Sequence, residues 1–332
     1  MSPEVGTFFK NAKDTTVLVI GDVMVDAYLW GRVDRISPEA PVPVVQVTER
    51  SARLGGAANV ALNLKALGAN PVVISVIGDD DNATTLEALF TEQGLDTAGL
   101  IRSKKRRTTV KTRVISGHQH VVRVDEEQEN DLDDADAQAL IKAVALKLNA
   151  LVPSVLVFED YNKGVLSETV ITGIITAAKK ASVPVAVDPK KRNFFAYNGV
   201  DLFKPNLKEL REGLKTEVNA ADPKSVAQAT RMLEERLRNR ISMITLSEHG
   251  VLVSTEGEVE TFPAHRRKIV DVSGAGDTVI AVAALALAQD LPAGQLAQLA
   301  NLAGGLVCEE VGVVPIDPVR FQAECERLGL LS

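Results

Sequence analysis

The segment Asp271–Thr278, with the sequence Asp-Val-Ser-Gly-Ala-Gly-Asp-Thr, has the residue types needed to transfer a phosphoryl group. Its glycines, Gly274 and Gly276, allow a tight turn and leave backbone N–H groups unshielded by a Cβ atom. A long apolar run begins at Val279, so the turn opens a helix whose N-terminus favours phosphate oxygens. Asp277 lies in the first turn, where a carboxylate can take a proton from a hydroxyl beside a bound phosphate. The segment therefore predicts phosphoryl transfer.

Aspartates stand near the ends of several predicted strands. Runs of β-branched and other apolar residues at 17–20, 155–158 and 185–187 predict buried strands. The carboxylates that follow them are Asp22, Asp26, Asp160 and Asp188. A single aspartate in such a place more often caps a helix or stabilises a turn. Ligands of parallel sheets bind beyond the carboxyl ends of the strands, so four aspartates at equivalent ends favour a cleft for a polyol.

A second glycine-rich segment, Gly55–Asn59, opens a helical pattern. Its small residues allow close approach of a ligand, and the amide of Asn59 can donate to and accept from hydroxyls. A glycine-rich turn capped by Asn59 is the alternative interpretation. The segment is not a GxGxxG fingerprint, and the chain has no GxxxxGK[ST] loop. These absences argue against a nicotinamide-dependent oxidoreductase and against a P-loop enzyme.

The elements that must position these residues alternate between strands and helices. Further strands are predicted at 72–77 and 241–246, and helical spacing occurs at 59–67, 86–90, 141–148, 170–175, 275–290 and 293–310. This alternation predicts an α/β fold with a mostly parallel sheet between two layers of helices. Residues 32–47, which contain three prolines, and 108–125, which alternate in polarity, predict a small additional β-sheet, the lid. No linker interrupts the chain, so residues 1–332 are predicted to form one domain.

The composition is that of a globular protein of 332 residues, with a net charge of −7 and a pI near 5.3. Such an acidic chain argues against nucleic acid and anionic membranes as partners. The longest apolar stretch, 279–288, is half of what a membrane span needs, and no signal peptide is apparent. Cys308 and Cys325 do not suggest a disulfide framework. We therefore expect a cytoplasmic location.

Three segments carry a resemblance to a known family: Gly55–Asn59, Asn206–Glu209 and Asp271–Thr278. They are similar to the two signatures and the N-x-x-E motif of the ribokinase-like (PfkB) carbohydrate kinases, and the likeness extends over nearly the whole chain. The resemblance implies a ribokinase-like three-layer α/β/α fold with a β-sheet lid. It also implies ATP with Mg²⁺, and a monovalent cation such as K⁺ that many members use.

The same resemblance implies roles for individual residues. The base would be Asp277, and the anion hole would be formed by Gly274, Ala275 and Gly276. Sugar hydroxyls would be held by Asp22, Asp26, Gly55, Gly56 and Asn59. The phosphates of Mg·ATP would be organised by Asn206 and by Glu209, the latter reaching Mg²⁺ through water. The rest of the nucleotide would lie near Ser247, Gly250, Asn301 and Gly304. The monovalent cation would lie at Asp271 and Ser273, which flank Val272 where many relatives have threonine.

Four further segments are similar to the D-glycero-β-D-manno-heptose-7-phosphate kinases within that family: Arg35–Val44, Asp160–Gly164, Asp188–Lys190 and Leu246–Gly250. This likeness implies phosphorylation of the heptose phosphate at its anomeric 1-hydroxyl, towards nucleotide-activated heptose for the lipopolysaccharide core. Because Ser332 follows soon after the last kinase helix, we expect the stand-alone form of the kinase. Relatives often dimerise through their lid strands, so we expect a homodimer to which the valine-rich segment 42–47 contributes.

A substrate that already carries a phosphate needs cations in the cleft. The basic residues within 102–107 are explained more simply as a solvated loop. Lys111 and Arg113 share one face of a predicted strand and Arg123 lies on its partner, an arrangement suited to a phosphate. Other candidates stand beside the strand-end carboxylates, namely Lys163 and Lys190. The sequence predicts a phosphate site among these residues without choosing between them.

Two other functions remain open from the sequence. A kinase for a different sugar or sugar phosphate would carry the same motifs. A non-catalytic sensor of sugar or nucleotide could share the fold, but a sensor needs no base. The presence of Asp277 and Glu209 therefore argues against a sensor.

Overall fold

The computed structural model describes residues 5–117, 119–265 and 267–330. Its strands, in chain order, are β1 (Thr16–Gly21), β2 (Val23–Ile36), β3 (Pro43–Gly56), β4 (Asn70–Gly78), β5 (Leu100–Ser103), β6 (Thr109–Ser116), β7 (Gln119–Glu126), β8 (Val155–Glu159), β9 (Val185–Asp188), β10 (Leu202–Phe203), β11 (Ile241–Thr245), β12 (Val251–Thr255) and β13 (Glu258–Phe262). Its α-helices are α1 (Val5–Ala12), α2 (Ala57–Ala66), α3 (Asp81–Glu92), α4 (Asp134–Leu151), α5 (Glu168–Lys180), α6 (Leu207–Leu214), α7 (Pro223–Leu237), α8 (Ala275–Ala288), α9 (Ala293–Val307) and α10 (Pro318–Leu328).

The central sheet has nine strands in the order β13-β12-β11-β10-β9-β8-β1-β4-β5. The seven strands from β5 to β11 in this order pair in parallel, whereas β12 is antiparallel to both of its neighbours. The carboxyl ends of the parallel strands therefore meet at one edge of the sheet. The predicted mostly parallel sheet is confirmed.

A smaller sheet in the order β3-β2-β6-β7 forms the lid. Its strands are longer than the sequence indicated. β2 starts at Val23, one residue after the end of β1, and β3 continues to Gly56, the residue before α2. Asp26 therefore lies inside a lid strand, not in a loop at the end of β1. The prolines of 37–42 occupy the turn between β2 and β3. The second predicted lid segment is a hairpin of β6 and β7, as expected.

Two apolar layers cover the central sheet. Val17, Val19 and Val157 face one layer, which contains residues of α2, α8 and α9. Leu18 and Phe158 face the other, which contains residues of α4, α5 and α7. Because neighbouring residues of a strand point to opposite faces, the last residues of β8 and β9 fall on the same side as α8. This register brings carboxylates of the strand ends towards the N-terminus of α8.

Local signals explain where the helices near this edge begin. Asn206 caps α6 in a capping box, since its side chain accepts the N–H of Glu209 at 2.9 Å while Glu209 accepts the N–H of Asn206 at 2.8 Å. Gly274 precedes α8 with φ of 79°, a left-handed conformation that glycine adopts without strain. Among the described helices, none has both the length and the apolar character needed to cross a bilayer.

Candidate active site

A cleft runs along the carboxyl edge of the central sheet. It consists of two adjoining cavities of about 540 and 580 Å³, which share Thr245, Ser247, Val272 and Gly276. The first cavity extends towards α9 and the second towards Asp277 and Tyr161. The N-terminus of α8 thus stands between a compartment of nucleotide size and a polar compartment.

Asp277 is held by two hydrogen bonds, one on each carboxylate oxygen. The Asn59 amide donates to Oδ2 at 2.7 Å, and the Tyr161 hydroxyl donates to Oδ1 at 2.7 Å. Burial raises the pKa of Asp277 to about 6, although both hydrogen bonds act in the opposite direction. Its side chain is therefore oriented, and it is ionised at neutral pH with a basicity suited to accepting a proton.

Further charges surround Asp277 on the same face of the sheet. Asp188 forms an ion pair with the buried Lys204 at 2.9 Å, and Lys190 lies 3.7 Å from its other oxygen. Glu159 is fully buried, and neither of its side-chain oxygens has a hydrogen-bond partner among the described residues. Burial, with repulsion from Asp188 and Asp277, raises the pKa of Glu159 well above its usual range. Its surroundings therefore favour the neutral form of the carboxyl group.

The carboxylates of Asp22 and Asp160 accept hydrogen bonds from other groups of the protein. Asp22 accepts the backbone N–H groups of Tyr161, Lys163 and Val165 at 2.9 to 3.1 Å. Asp160 accepts the N–H of Asn162 and the hydroxyl of Tyr197, each at 2.8 Å. Burial raises the pKa of both aspartates, that of Asp160 to about 7. In this structure these two residues build the loop that carries Tyr161, and their predicted contact with sugar hydroxyls stays a prediction.

The lid side of the cleft contains three of the predicted sugar ligands, Asp26, Gly55 and Gly56. An alanine Cβ at Gly55 would lie 2.2 Å from Oδ2 of Asp26, so glycine is required for their close approach. Asp26 forms an ion pair with Arg113, whose guanidinium lies over the ring of Tyr28. At Gly56, with φ of 61°, a Cβ would lie 2.3 Å from the carbonyl oxygen of Asp22. The two glycines thus fix where the lid joins the core.

The predicted phosphate ligands differ in how far they are already paired. Lys163 bonds to Glu127 at 2.8 Å and to Glu129 at 3.0 Å, and the exposed Arg123 bonds to Asp125 at 2.9 Å. The Lys111 side chain is mostly buried, yet its Nζ atom is 3.9 Å from Glu127 and 6.0 Å from the centre of the Tyr161 ring. Burial lowers the pKa of Lys111, as expected for a cation short of partners.

On the nucleotide side of the cleft, Lys190 connects Glu209 of the N-x-x-E motif to Asp188. Lys190 donates to Oε1 of Glu209 at 2.7 Å, while Oε2 closes the capping box with Asn206. Residues of β11, α9 and the adjoining loops line the first cavity, including Ser247, Gly250, Asn301 and Gly304. The structure thus brings these four predicted nucleotide residues together in the first cavity, and Asn206 lines the second.

Asp271 closes the loop that precedes α8. Its oxygens accept the backbone N–H groups of Ser273 and Gly312, each at 2.9 Å. Burial acts to raise the pKa of Asp271, but these hydrogen bonds prevail and lower it. Asp271 is thus an ionised carboxylate beside Ser273, a donor type that suits a hard cation. Among the described residues, no three His, Cys, Asp or Glu side chains converge on a metal position.

Three polar residues of the cleft were absent from the candidate sites of the sequence: Tyr161, Lys204 and Glu159. Tyr161 and Glu159 flank the strand-end Asp160, and Lys204 precedes Asn206 by two positions. Their proximity to predicted site residues was the available signal. Each of these side chains contacts residues that are distant in the chain, and a local sequence pattern does not predict such contacts.

Comparison with known proteins agrees with this geometry. The family model described as "pfkB family carbohydrate kinase" matches residues 14–319. The chain belongs to the pfkB family of carbohydrate kinases. It is 40% identical over 320 residues to the "Bifunctional protein HldE" of Trichlorobacter lovleyi, covering 96% of this chain and 64% of that protein. It is 46% identical over 300 residues to the protein of the same name from Caulobacter sp. strain K31, covering 90% and 60%. The chain thus spans less than two thirds of these relatives.

Two solved structures share the fold. Phosphofructokinase-2 from Escherichia coli in complex with potassium superimposes with a TM-score of 0.77 at 20% identity, covering 95% of this chain and 99% of that one. Arabidopsis thaliana ribokinase complexed with ribose and ATP has a TM-score of 0.70 at 17% identity, covering 97% and 99%. The predicted ribokinase-like three-layer fold with a small additional sheet is confirmed.

Proposed function

We propose that this pfkB-family chain transfers the γ-phosphoryl group of Mg·ATP to the anomeric 1-hydroxyl of D-glycero-β-D-manno-heptose 7-phosphate. The observation that carries the phosphoryl-transfer chemistry is Asp277, which is held on both oxygens at the N-terminus of α8 and lines the second cavity. The choice of heptose phosphate is supported by the four segments similar to heptose-7-phosphate kinases and by the relatives named HldE. Lys111 supports a substrate that already carries a phosphate.

The proposed reaction places the sugar between the lid and Asp277. ATP would occupy the first cavity, and its phosphates would reach into the second cavity, which Asp277 lines. Asp277 takes the proton of the 1-hydroxyl as that oxygen bonds to the γ-phosphorus. The bond from phosphorus to the bridging oxygen breaks at the same time, and ADP leaves. Backbone N–H groups at residues 274–276 stabilise the charge that develops on the transferred group. Closure of the lid would exclude water that otherwise competes for the phosphoryl group.

The residues present fit the metal ions that the family implies. Glu209 already accepts hydrogen bonds on both oxygens, so it suits contact with Mg²⁺ through water. Bound Mg²⁺ would supply charge neutralisation on the ATP phosphates. Asp271 and Ser273 are the proposed position of K⁺. The homodimer and the cytoplasmic location are further proposals.

The Asp277→Asn variant tests the base. We expect it to bind ATP and sugar phosphate with affinities close to wild type, while turnover falls about 10²-fold or more, as for a removed general base. Calorimetric titration and a coupled ADP assay measure the two quantities. Near-normal turnover would falsify the assignment.

A substrate panel tests the sugar. Heptose 7-phosphate, fructose 6-phosphate, tagatose 6-phosphate and ribose are compared by kcat/KM, and phosphorus NMR locates the new phosphate. We expect the highest value for heptose 7-phosphate, with the new phosphate at position 1. Preference for another sugar would make the chain a different pfkB kinase. ATP consumption that no sugar stimulates would favour a sensor.

A further inference from the structure

The hydroxyl of Tyr161 contacts the carboxylate of Asp277, the proposed base. It donates to Oδ1 of Asp277 at 2.7 Å, while the amide of Asn59 donates to Oδ2 at the same distance. Each carboxylate oxygen has two acceptor positions, so Oδ1 keeps one for a third donor. The two contacts together fix both the plane of the carboxylate and the side from which a further hydroxyl can reach it.

Tyr161 is itself held from several directions. Its backbone N–H donates to Asp22 at 2.9 Å, and Asp22 also accepts two further N–H groups of the same loop. Two lysines lie near its ring: Nζ of Lys190 is 5.2 Å from the ring centre and Nζ of Lys111 is 6.0 Å from it. Lys190 belongs to the nucleotide side through Glu209, and Lys111 belongs to the lid. Tyr161 is therefore held at its backbone and at its hydroxyl, with a lysine from each side of the cleft near its ring.

We propose that Tyr161 is a positioning residue that aligns Asp277 with the hydroxyl of the sugar. This inference rests on the proposed role of Asp277 as the base. The phenol orients the carboxylate of Asp277 but does not transfer a proton, because it keeps its own proton throughout the reaction. Burial and the neighbouring carboxylates raise the pKa of Tyr161 well above its usual range, which keeps the hydroxyl a donor.

The same hydrogen bond affects the basicity of Asp277. The phenol stabilises the ionised carboxylate, so its removal raises the pKa of Asp277 above the value of about 6. Other groups that face Asp277 from the packed elements are unchanged by this removal. They are Asn59, Glu159, Asp188, Lys190 and Lys204. A change in the acid limb of the rate profile thus reports on the single contact.

The Tyr161→Phe variant tests the proposal, and Tyr197→Phe is a matched control. Tyr197 is fully buried, and its hydroxyl donates to the carboxylate of Asp160 at 2.8 Å without contacting Asp277. We expect an acid limb of kcat near pH 6 in the wild-type enzyme and about one pH unit higher in Tyr161→Phe. We also expect kcat at pH 8 to fall about tenfold while both KM values change less than twofold. Tyr197→Phe should lower the melting temperature but leave the acid limb unmoved.

A wild-type acid limb and kcat in Tyr161→Phe would overturn the proposal. Incorporation of 3-fluorotyrosine at position 161 gives a second measurement that does not remove the contact. Its more acidic phenol donates more strongly, so the acid limb should move below the wild-type value, and an unmoved limb would contradict the inference. Failure of the proposed function itself would appear separately, as full turnover in Asp277→Asn.

Discussion

Lys111 differs from the other candidate phosphate ligands in how loosely its charge is paired. The others have carboxylate partners at 3.0 Å or less, whereas Nζ of Lys111 is 3.9 Å from Glu127. A mostly buried ammonium with such a distant counter-ion is destabilised until an anion approaches. Lys111 is therefore our candidate for the residue that recognises the phosphate already present on the sugar.

The Lys111→Met variant should lose kcat/KM for the sugar phosphate by about 10- to 100-fold, the value of a charge-assisted hydrogen bond. The KM for ATP should stay within twofold. Lys105→Met is the control, because Lys105 is an exposed cation paired with Asp133. Steady-state kinetics with and without phosphate on the sugar decide the point. An equal loss with the unphosphorylated sugar would show that Lys111 does not bind the phosphate.

At the scale of residues, the sequence predicted which residues belong to the site better than it predicted the contacts between them. Asp277 and Asn59 were both named, but their hydrogen bond joins residues 218 positions apart. The contact between Tyr161 and Asp277 spans 116 positions. Such pairs depend on the order and register of strands in the finished sheet. The chemical class was therefore predictable, whereas the arrangement that tunes it was not.

At the scale of elements, the turn before α8 is the most constrained part of the cleft. Gly274 has φ of 79°, and an added Cβ would lie 2.9 Å from Nδ2 of Asn59 and 3.2 Å from Cγ1 of Val313. Asn59 is the donor to Oδ2 of Asp277. A side chain at position 274 would therefore displace the amide that orients the base.

The Gly274→Ala variant should destabilise the fold by about 1–2 kcal/mol, the cost of a left-handed alanine, and reduce kcat at least tenfold. Gly294→Ala is the control. Gly294 also lies at the start of a helix, but it has no positive φ, and its Cβ would meet only the flexible end of Glu260. Thermal unfolding and kcat measured together separate the two effects. Loss of stability with unchanged kcat would show that the turn does not position Asn59.

Some helices and strands are easier to predict from the sequence than others. Strands such as β1 and β4 are apolar runs long enough to be recognised alone. β10 has only two residues, Leu202 and Phe203, and it is a strand because β9 and β11 pair with it on either side. The lid strands β2 and β3 were predicted too short, since their inner ends are buried like core strands and lack the alternation of a half-exposed sheet.

At the scale of the molecule, the outer part of the lid exposes apolar side chains. Exposed fractions are 60% for Ile36 on β2, 51% for Val42 in the turn and 38% for Val47 on β3. On β7, Val122 and Val124 are about half exposed. Apolar residues in such number on one small sheet are typical of a protein–protein contact. They support the proposed homodimer through the lid.

The double variant Val42→Lys and Val47→Lys should dissociate this dimer, because two added charges would have to be buried against the partner. Light scattering coupled to gel filtration should give twice the mass of the chain for wild type and the mass of one chain for the variant. Val319→Lys is the control, since Val319 is 77% exposed on α10, outside the lid. A wild-type protein of single mass, or an unchanged mass in the double variant, would contradict the proposal.

The order of the site residues along the chain has a consequence for how such kinases diversify. The proposed sugar contacts from the lid and its junction all precede position 166, whereas every proposed nucleotide contact follows position 188, and α5 lies between them. A single crossover within α5 would therefore exchange the lid and its junction while leaving the nucleotide contacts, together with Asp188, Lys190 and Asp277, in place. Chimaeras of this chain with a distant relative, joined in α5, should inherit their sugar preference from the first parent and their nucleotide preference from the second. One fold can thus acquire new acceptors by recombination while its phosphoryl donor stays the same.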